Sequence, residues 1–359
     1  MFFELIRMGI GTSNEFAFSP TAQDWEQIFE LSQKQTLLGI TFAGIEKLDA
    51  DRRPPKNLLL MWHNCCQRIK QQNEKLNIIA ARVSAKFKEE GFRSTILKGQ
   101  GVALLYDNPT LRTPGDIDIW LEGGRDKILD YVKRHLPNCR PVYHHVDFIE
   151  IGKVGIEIHF TPTWMNSYFT NKRLQRYFNE ESELQFTNKT VMGNEGGEVN
   201  VPTNAFNRIY ILLHIYRHLF QEGIGLRQLL DYHYVLKQGF TAQEKETALN
   251  VLKELKMLRF AGAVMHVLKR VFNTDDALML TKPLEKEGEF LLNEIMIAGN
   301  FGKYSPRYKN EMSSSLIKRA ISKSMHHMKF MSSYPSETLW GPIFRTWHYF
   351  FKKRLKNKK

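Results

Sequence analysis

Between Asn57 and Glu90 apolar residues recur at helical spacing: Leu59, Trp62, Ile69, Leu76, Ile79, Val83 and Phe87. That sustained period predicts one long amphipathic helix, with Gly91 as its stop signal. Before it, residues 21 to 48 carry shorter helical patterns. Thr21 or Asp24 can cap a segment holding Trp25, Ile28, Phe29 and Leu31, and Gly39 punctuates before Ile40, Phe42 and Ile45. After Gly91 the period changes. Ser94 to Leu97 is a short apolar run, and Asp116-Ile117-Asp118-Ile119-Trp120 and Val154 to Phe160 alternate strictly. Alternation is the signature of a strand with one buried face. Strands are therefore expected at 94–97, 116–121, 142–150 and 154–160, with helices over 98–107 and 125–136 between them.

Residues 161–203 look irregular. Within them Trp164, Tyr168, Phe169, Tyr177 and Phe178 stand among Lys172, Arg173 and Arg176. A surface helix with an aromatic stripe accounts for this better than a stacking surface for nucleic acid. The helical period returns at Ala205, with Ile209, Leu212, Leu213, Tyr216 and Leu219 on one side of a helix over 205–220. Further helices are expected over 242–256, 258–272 and 285–298, then basic ones over 313–331 and 341–355. These patterns divide the chain into an N-terminal helical region (1–90), a core with the strands (91–203) and a helical C-terminal lobe (204–359).

Composition changes this picture only in part. The chain has 359 residues, 42% of them hydrophobic and 12% aromatic, which suits a globular protein of one large or two to three small domains. No apolar run approaches the roughly 20 residues needed to span a bilayer. Glu4 and Arg7 interrupt the apolar start too early for a signal-peptide core. Three cysteines, two of them the adjacent Cys65 and Cys66, make neither a disulfide framework nor a CxxC metal pattern. A cytoplasmic location is the expectation. The net charge of +13 favours anionic company. Part of it is the acid-free tail from Phe351 to Lys359, which reads as a solvated end.

The candidate chemistry lies in the alternating strands. Asp116 and Asp118 are two apart and so share a face, and neighbouring carboxylates repel unless a cation lies between them. Such a pair is a natural holder for Mg²⁺ or Mn²⁺. Upstream, Lys98-Gly99-Gln100-Gly101 follows a strand and opens a helix, the setting in which backbone N–H groups meet phosphate. Arg112 stands ahead of the acids, where it can reach a triphosphate or neutralise Asp116. In the strand over 154–160, Glu157 and His159 point opposite to Ile156 and Ile158. His214 and His218 are a helical turn apart, but Ile215 stands where a zinc protease has Glu, so core or hydrogen-bonding histidines are the better reading. Arg227 and Asp231 have the spacing of an intrahelical ion pair.

The runs Leu97-Lys98-Gly99 and Leu104-Leu105-Tyr106, then Arg112 and Gly115-Asp116-Ile117-Asp118-Ile119, resemble the bacterial uncharacterised nucleotidyltransferase family of the polymerase-β-type superfamily. His214, His218, Arg227 and Asp231 fit that resemblance. The glycine turn is Gly99-Gln100-Gly101 where the superfamily usually has Gly-Gly or Gly-Ser, and the third acid is Glu where many relatives have Asp. The resemblance implies an α+β fold: a polymerase-β-like core with a small mixed sheet, flanked by N-terminal helices and a helical C-terminal lobe. It implies Asp116, Asp118 and Glu157 as catalytic metal ligands for Mg²⁺ or Mn²⁺, with Glu157 alternatively the base that activates the acceptor. Lys98, Gly99, Gln100, Gly101 and Arg112 would bind the nucleotide. The implied activity is transfer of a nucleotidyl group from an NTP to an acceptor hydroxyl on RNA, protein or a small molecule. The alternatives are a non-catalytic module of the same fold that binds nucleotide, RNA or protein, and a phosphotransferase. Neither the acceptor nor an oligomeric state is written in these motifs.

Overall fold

The computed structural model describes residues 1–193, 196–305, 322 and 324–357. Four helices come first: α1 (Phe2–Gly9), α2 (Ala22–Lys34), α3 (Leu38–Glu46) and the 34-residue α4 (Lys56–Glu89). Both candidate caps of α2 act together, since the Thr21 hydroxyl accepts from the Asp24 backbone and the Asp24 carboxylate accepts from the Thr21 backbone. Gly91 ends α4 with φ +80°, a conformation that glycine adopts without strain. The helix over Phe2–Gly9 was not signalled by the sequence, because eight residues are too few to establish a period.

The sheet follows: β1 (Ser94–Leu97), α5 (Gly99–Ala103), β2 (Ile117–Leu121), α6 (Gly124–His135), β3 (His145–Ile151) and β4 (Val154–His159). Strand order is β1-β2-β4-β3, with β2 and β4 parallel and both outer pairings antiparallel. The sheet is therefore small and mixed. Ile96, Ile117, Ile119, Val146, Ile156 and Ile158 turn one face into a core built with Leu76, Ile79, Val83 and Phe87 of α4 and Ile128 and Val132 of α6. The opposite face carries the polar half of each alternation. Register there sets Asp118 beside Glu157, Glu157 beside Asp147, and His159 beside His145.

Residues 161–203 are more regular than expected. They hold the 18-residue α7 (Tyr168–Gln185) and a hairpin of β5 (Lys189–Val191) and β6 (Glu198–Asn200). Leu174 and Phe178, one turn apart, are the buried side of α7, while Tyr168 and Phe169 are exposed. The aromatic stretch is thus helical, and strands of three residues are too short to show alternation.

The helical lobe comprises α8 (Asn204–Gln221), α9 (Leu226–Lys237), α10 (Ala242–Glu254), α11 (Leu258–Phe272), α12 (Glu285–Ala298) and, among the described residues, α13 (Pro335–Asn357). Helices α8 and α9 are buried along almost their whole length and form the centre of the larger core, which also takes in the apolar faces of α1, α2 and α3. Arg7 of α1 ties the two ends together by donating to the carbonyls of Arg270 at 2.6 Å and Val271 at 3.1 Å. Of the basic helix expected over 313–331, residues up to 321 and residue 323 lie outside the described residues. The acid-free tail is helical as far as Asn357 rather than a frayed end. No described helix is long and apolar enough to cross a membrane.

Glu337 docks α13 against the start of α7, accepting from the backbone N–H groups of Asn166 at 2.5 Å and Ser167 at 3.3 Å. Burial outweighs those bonds and pushes its pKa up to about 7 from 4.5. The folded protein therefore holds a proton there that the unfolded chain releases between those two values. Stability from this group is complete below about pH 4.5 and is lost as pH rises to about 7. Glu337→Gln mimics the protonated acid. It is expected to match the parent at pH 4.5 and to exceed it at pH 8 by on the order of 3 kcal/mol in chemical denaturation.

Candidate active site

Strand β1 delivers Lys98 to the polar face of the sheet. Its backbone has φ 37°, a region that side-chain-bearing residues rarely adopt, and its Nζ lies 3.0 Å from Asp118 Oδ1. Gly99 continues the turn at φ +38°. The next two residues turn away from the face. Gln100 is buried and donates to Asn77 Oδ1 on α4 at 2.6 Å. Gly101 packs so closely that a Cβ would lie 2.8 Å from the Ile96 carbonyl oxygen. The structure thus gives Gly101 a packing reason, and of the four turn residues it sets only Lys98 and Gly99 in the cleft beside Asp116 and Asp118.

Asp118 and Glu157 face each other across the parallel β2–β4 pair. His159, two residues on in β4, sets Nε2 2.8 Å from Asp118 Oδ1 and 3.5 Å from Glu157 Oε2. One ligand atom from each of these three side chains lies within 4.8 Å of the others, a donor set able to hold a divalent ion. Asp116 lies just before β2, is exposed, and belongs to no such group among the described residues. It lines the same cleft as Asp118 from a position one residue ahead of the strand.

Charge within the cluster is balanced by the chain itself. Burial alone would raise the Asp118 pKa, but Lys98 and His159 outweigh it and hold the carboxyl below its ordinary value. Burial acts the same way on Glu157 and is likewise overcome, by the His159 hydrogen bond and by His145, leaving a pKa of about 2. For His159, burial favours the neutral ring, yet the two carboxylates prevail and raise its pKa. His145 and His144 are different. Burial, then neighbouring cations, lower both, His145 to about 4.

Across the cleft stands the helical lobe. Arg112 neither neutralises Asp116 nor projects freely, because its Nε and Nη2 donate to the two oxygens of Asp231 on α9 at 2.7 and 2.8 Å. Tyr106 adds its hydroxyl to the same carboxylate at 2.8 Å. The intrahelical Arg227–Asp231 pair is therefore not formed. Arg227 donates to the Thr113 carbonyl at 2.9 Å, and its Nε has no partner among the described residues. His214 lines the cleft, while His218 bonds Glu222 at 2.5 Å and Arg217 at 2.8 Å. Neither belongs to a metal-ligand group among the described residues. The space left between sheet and lobe is about 30 Å³, room for water.

Sequence reasoning named Asp118, Glu157 and Lys98, and the structure brings these three together. It missed His159 as a partner of the acids, although the alternation that exposed Glu157 carried the same information. It missed His144 and His145 outright, since a histidine pair ahead of a strand has no local signature.

No curated protein is significantly similar to this sequence. Among solved structures, an antigenic nucleotidyltransferase-like protein from Paracoccidioides brasiliensis is similar at 12% identity, over 60% of this chain and 97% of that one, with a TM-score of 0.34. Residues 21–273, spanning α2 to α11 and the whole site, match the family described as uncharacterised nucleotidyltransferase, and the chain belongs to that family.

Proposed function

We propose that the protein transfers a nucleotidyl group from an NTP to an acceptor hydroxyl. The observation that carries this is the in-register Asp118–Glu157 pair, held ionised by Lys98 and His159 beside a glycine turn. Two carboxylates and an imidazole fit Mn²⁺ as well as Mg²⁺, with Asp116 near enough in sequence to complete a set through the cleft. A bound divalent ion would supply charge to the phosphates and acidity to the acceptor hydroxyl. In the transfer, the acceptor hydroxyl gives its proton to water, its oxygen bonds to the α-phosphorus, the bridge to the β-phosphate breaks, and pyrophosphate leaves.

The chain's own residues divide that work. Lys98 and Arg227 are the cations in the cleft available to the triphosphate, with Gly99 admitting it to the backbone. Arg112 supports the wall and offers only its remaining Nη1. A carboxylate with a pKa of about 2 is a poor proton acceptor at neutral pH, so Glu157 acts as a cation ligand rather than as the base. A cleft of about 30 Å³ must widen to take a triphosphate. Burial of Gln100 against Asn77, away from the cleft, favours the second reading, a non-catalytic nucleotide-binding module.

The test is incubation with each NTP labelled at the α-phosphate, with Mg²⁺ or Mn²⁺ and cell extract, following label into an acceptor. Binding of NTP without transfer to any acceptor would favour the module. Calorimetric titration of Mn²⁺ with an NTP analogue is expected to show affinity reduced roughly tenfold or more in Asp118→Asn and less in Asp116→Asn, whose carboxylate is exposed. Equal binding by all three proteins would remove the metal from this reading.

A further inference from the structure

A second cavity, of about 420 Å³, lies beyond the histidine pair, bounded by the start of β3, Trp164, the end of α8 and α13. Its size suits a small ligand. Its walls hold nitrogens that no described residue satisfies. His144 Nδ1, Trp164 Nε1, Arg217 Nε and His348 Nε2 are all buried and have no hydrogen-bond partner among the described residues. Arg217 Nη1 lies 3.4 Å from His144 Nε2, and arginine can only donate, so this contact is a hydrogen bond in the tautomer that carries its hydrogen on Nδ1. A buried donor without an acceptor is costly and rare.

Charge agrees with this donor excess. Arg217, Arg345 and Lys352 all border the cavity, and Glu222, the one acid among the described lining residues, already accepts from His218 at 2.5 Å. A flat apolar wall adjoins the cations. The rings of Trp164 and Phe344 stack at 5.8 Å and 21°, and the Arg217 guanidinium lies 4.4 Å from the Trp164 ring. The histidine pair alone separates the cavity from the carboxylates. His144 Nε2 is 2.9 Å from His145 Nδ1, which in turn lies 3.4 Å from Glu157 Oε2.

We propose that this cavity is the acceptor subsite and takes a small phosphomonoester. Its phosphate lies among the unsatisfied donors and cations, its ring rests against the Trp164–Phe344 pair, and its hydroxyl points towards His145, which stands between the cavity and Glu157. The assignment to the acceptor rests on the nucleotidyl-transfer reading, whereas the anion site itself does not.

Calorimetry on the full chain separates the two. Phenyl phosphate is expected to bind at least about tenfold more tightly than inorganic phosphate, because the ring adds apolar burial. Lys352→Gln, at an exposed position on the rim, and Trp164→Phe, which keeps a ring but loses the donor, should each weaken phenyl phosphate by about tenfold. Neither should alter binding of an NTP analogue with Mn²⁺. Phenyl phosphate that fails to bind the parent, or binds both variants as tightly as the parent, overturns the proposal. Binding of phenyl phosphate without binding of NTP overturns the transfer reading and leaves an anion site.

Discussion

Asp118→Asn is expected to lower nucleotidyl transfer by about 10³–10⁴-fold while binding of the NTP without divalent metal changes only a few-fold. That corresponds to about 4–5.5 kcal/mol of transition-state stabilisation. The substitution preserves shape and removes one negative charge from the centre of the cluster. On the proposed reading, ground-state binding of the triphosphate draws on Lys98, Gly99 and Arg227, none of which the change removes. The transition state would need more, because charge moves onto the leaving pyrophosphate and a cation held by Asp118 and Glu157 would match it. Loss of the carboxylate also releases Lys98 and His159, each within 3.0 Å of Asp118 Oδ1. Single-turnover transfer beside calorimetric NTP binding measures the contrast. A rate within tenfold of the parent would show that the carboxylate is structural.

How far the site was legible follows from the reach of each signal. The Asp118–Glu157 pairing was legible because each strand has a strict period of two, which fixes the face of every residue in it. Asp116 shows the limit of that rule, since it belongs to the same run yet stands outside the strand. Local sequence marked Lys98 to Gly101 as a phosphate turn but could not say which side chains the adjoining helix would claim. Asn77 takes Gln100, and Ile96 closes on Gly101. The helices over 56–89, 258–272 and 285–298 were legible almost to the residue because buried apolar positions repeat over several turns. The second cavity was not legible at all. Its walls come from five segments separated by up to some two hundred residues, and no single segment carries a pattern that betrays it.

The Arg112–Asp231 pair follows from no local rule, its partners lying 119 positions apart. Breaking it should have the largest effect on stability. Arg112→Met leaves the Asp231 carboxylate buried, with the Tyr106 hydroxyl as its remaining hydrogen bond among the described residues and the more distant Arg227 as its remaining counter-charge. Removing one member of a buried pair costs about 3–5 kcal/mol, because the survivor keeps its desolvation penalty and loses its counter-charge. Replacing both by apolar groups removes the penalty with the attraction. Arg112→Met with Asp231→Leu is therefore expected to recover much of the loss, and denaturation of all four proteins gives the coupling directly. The pair also fastens the 108–116 loop, which precedes β2, to α9 of the lobe, so the stable double variant should still transfer slowly. Full activity in that variant would show that the clamp serves folding alone. A single-variant loss below about 1 kcal/mol would show that water reaches the pair, as it does in exposed ion pairs.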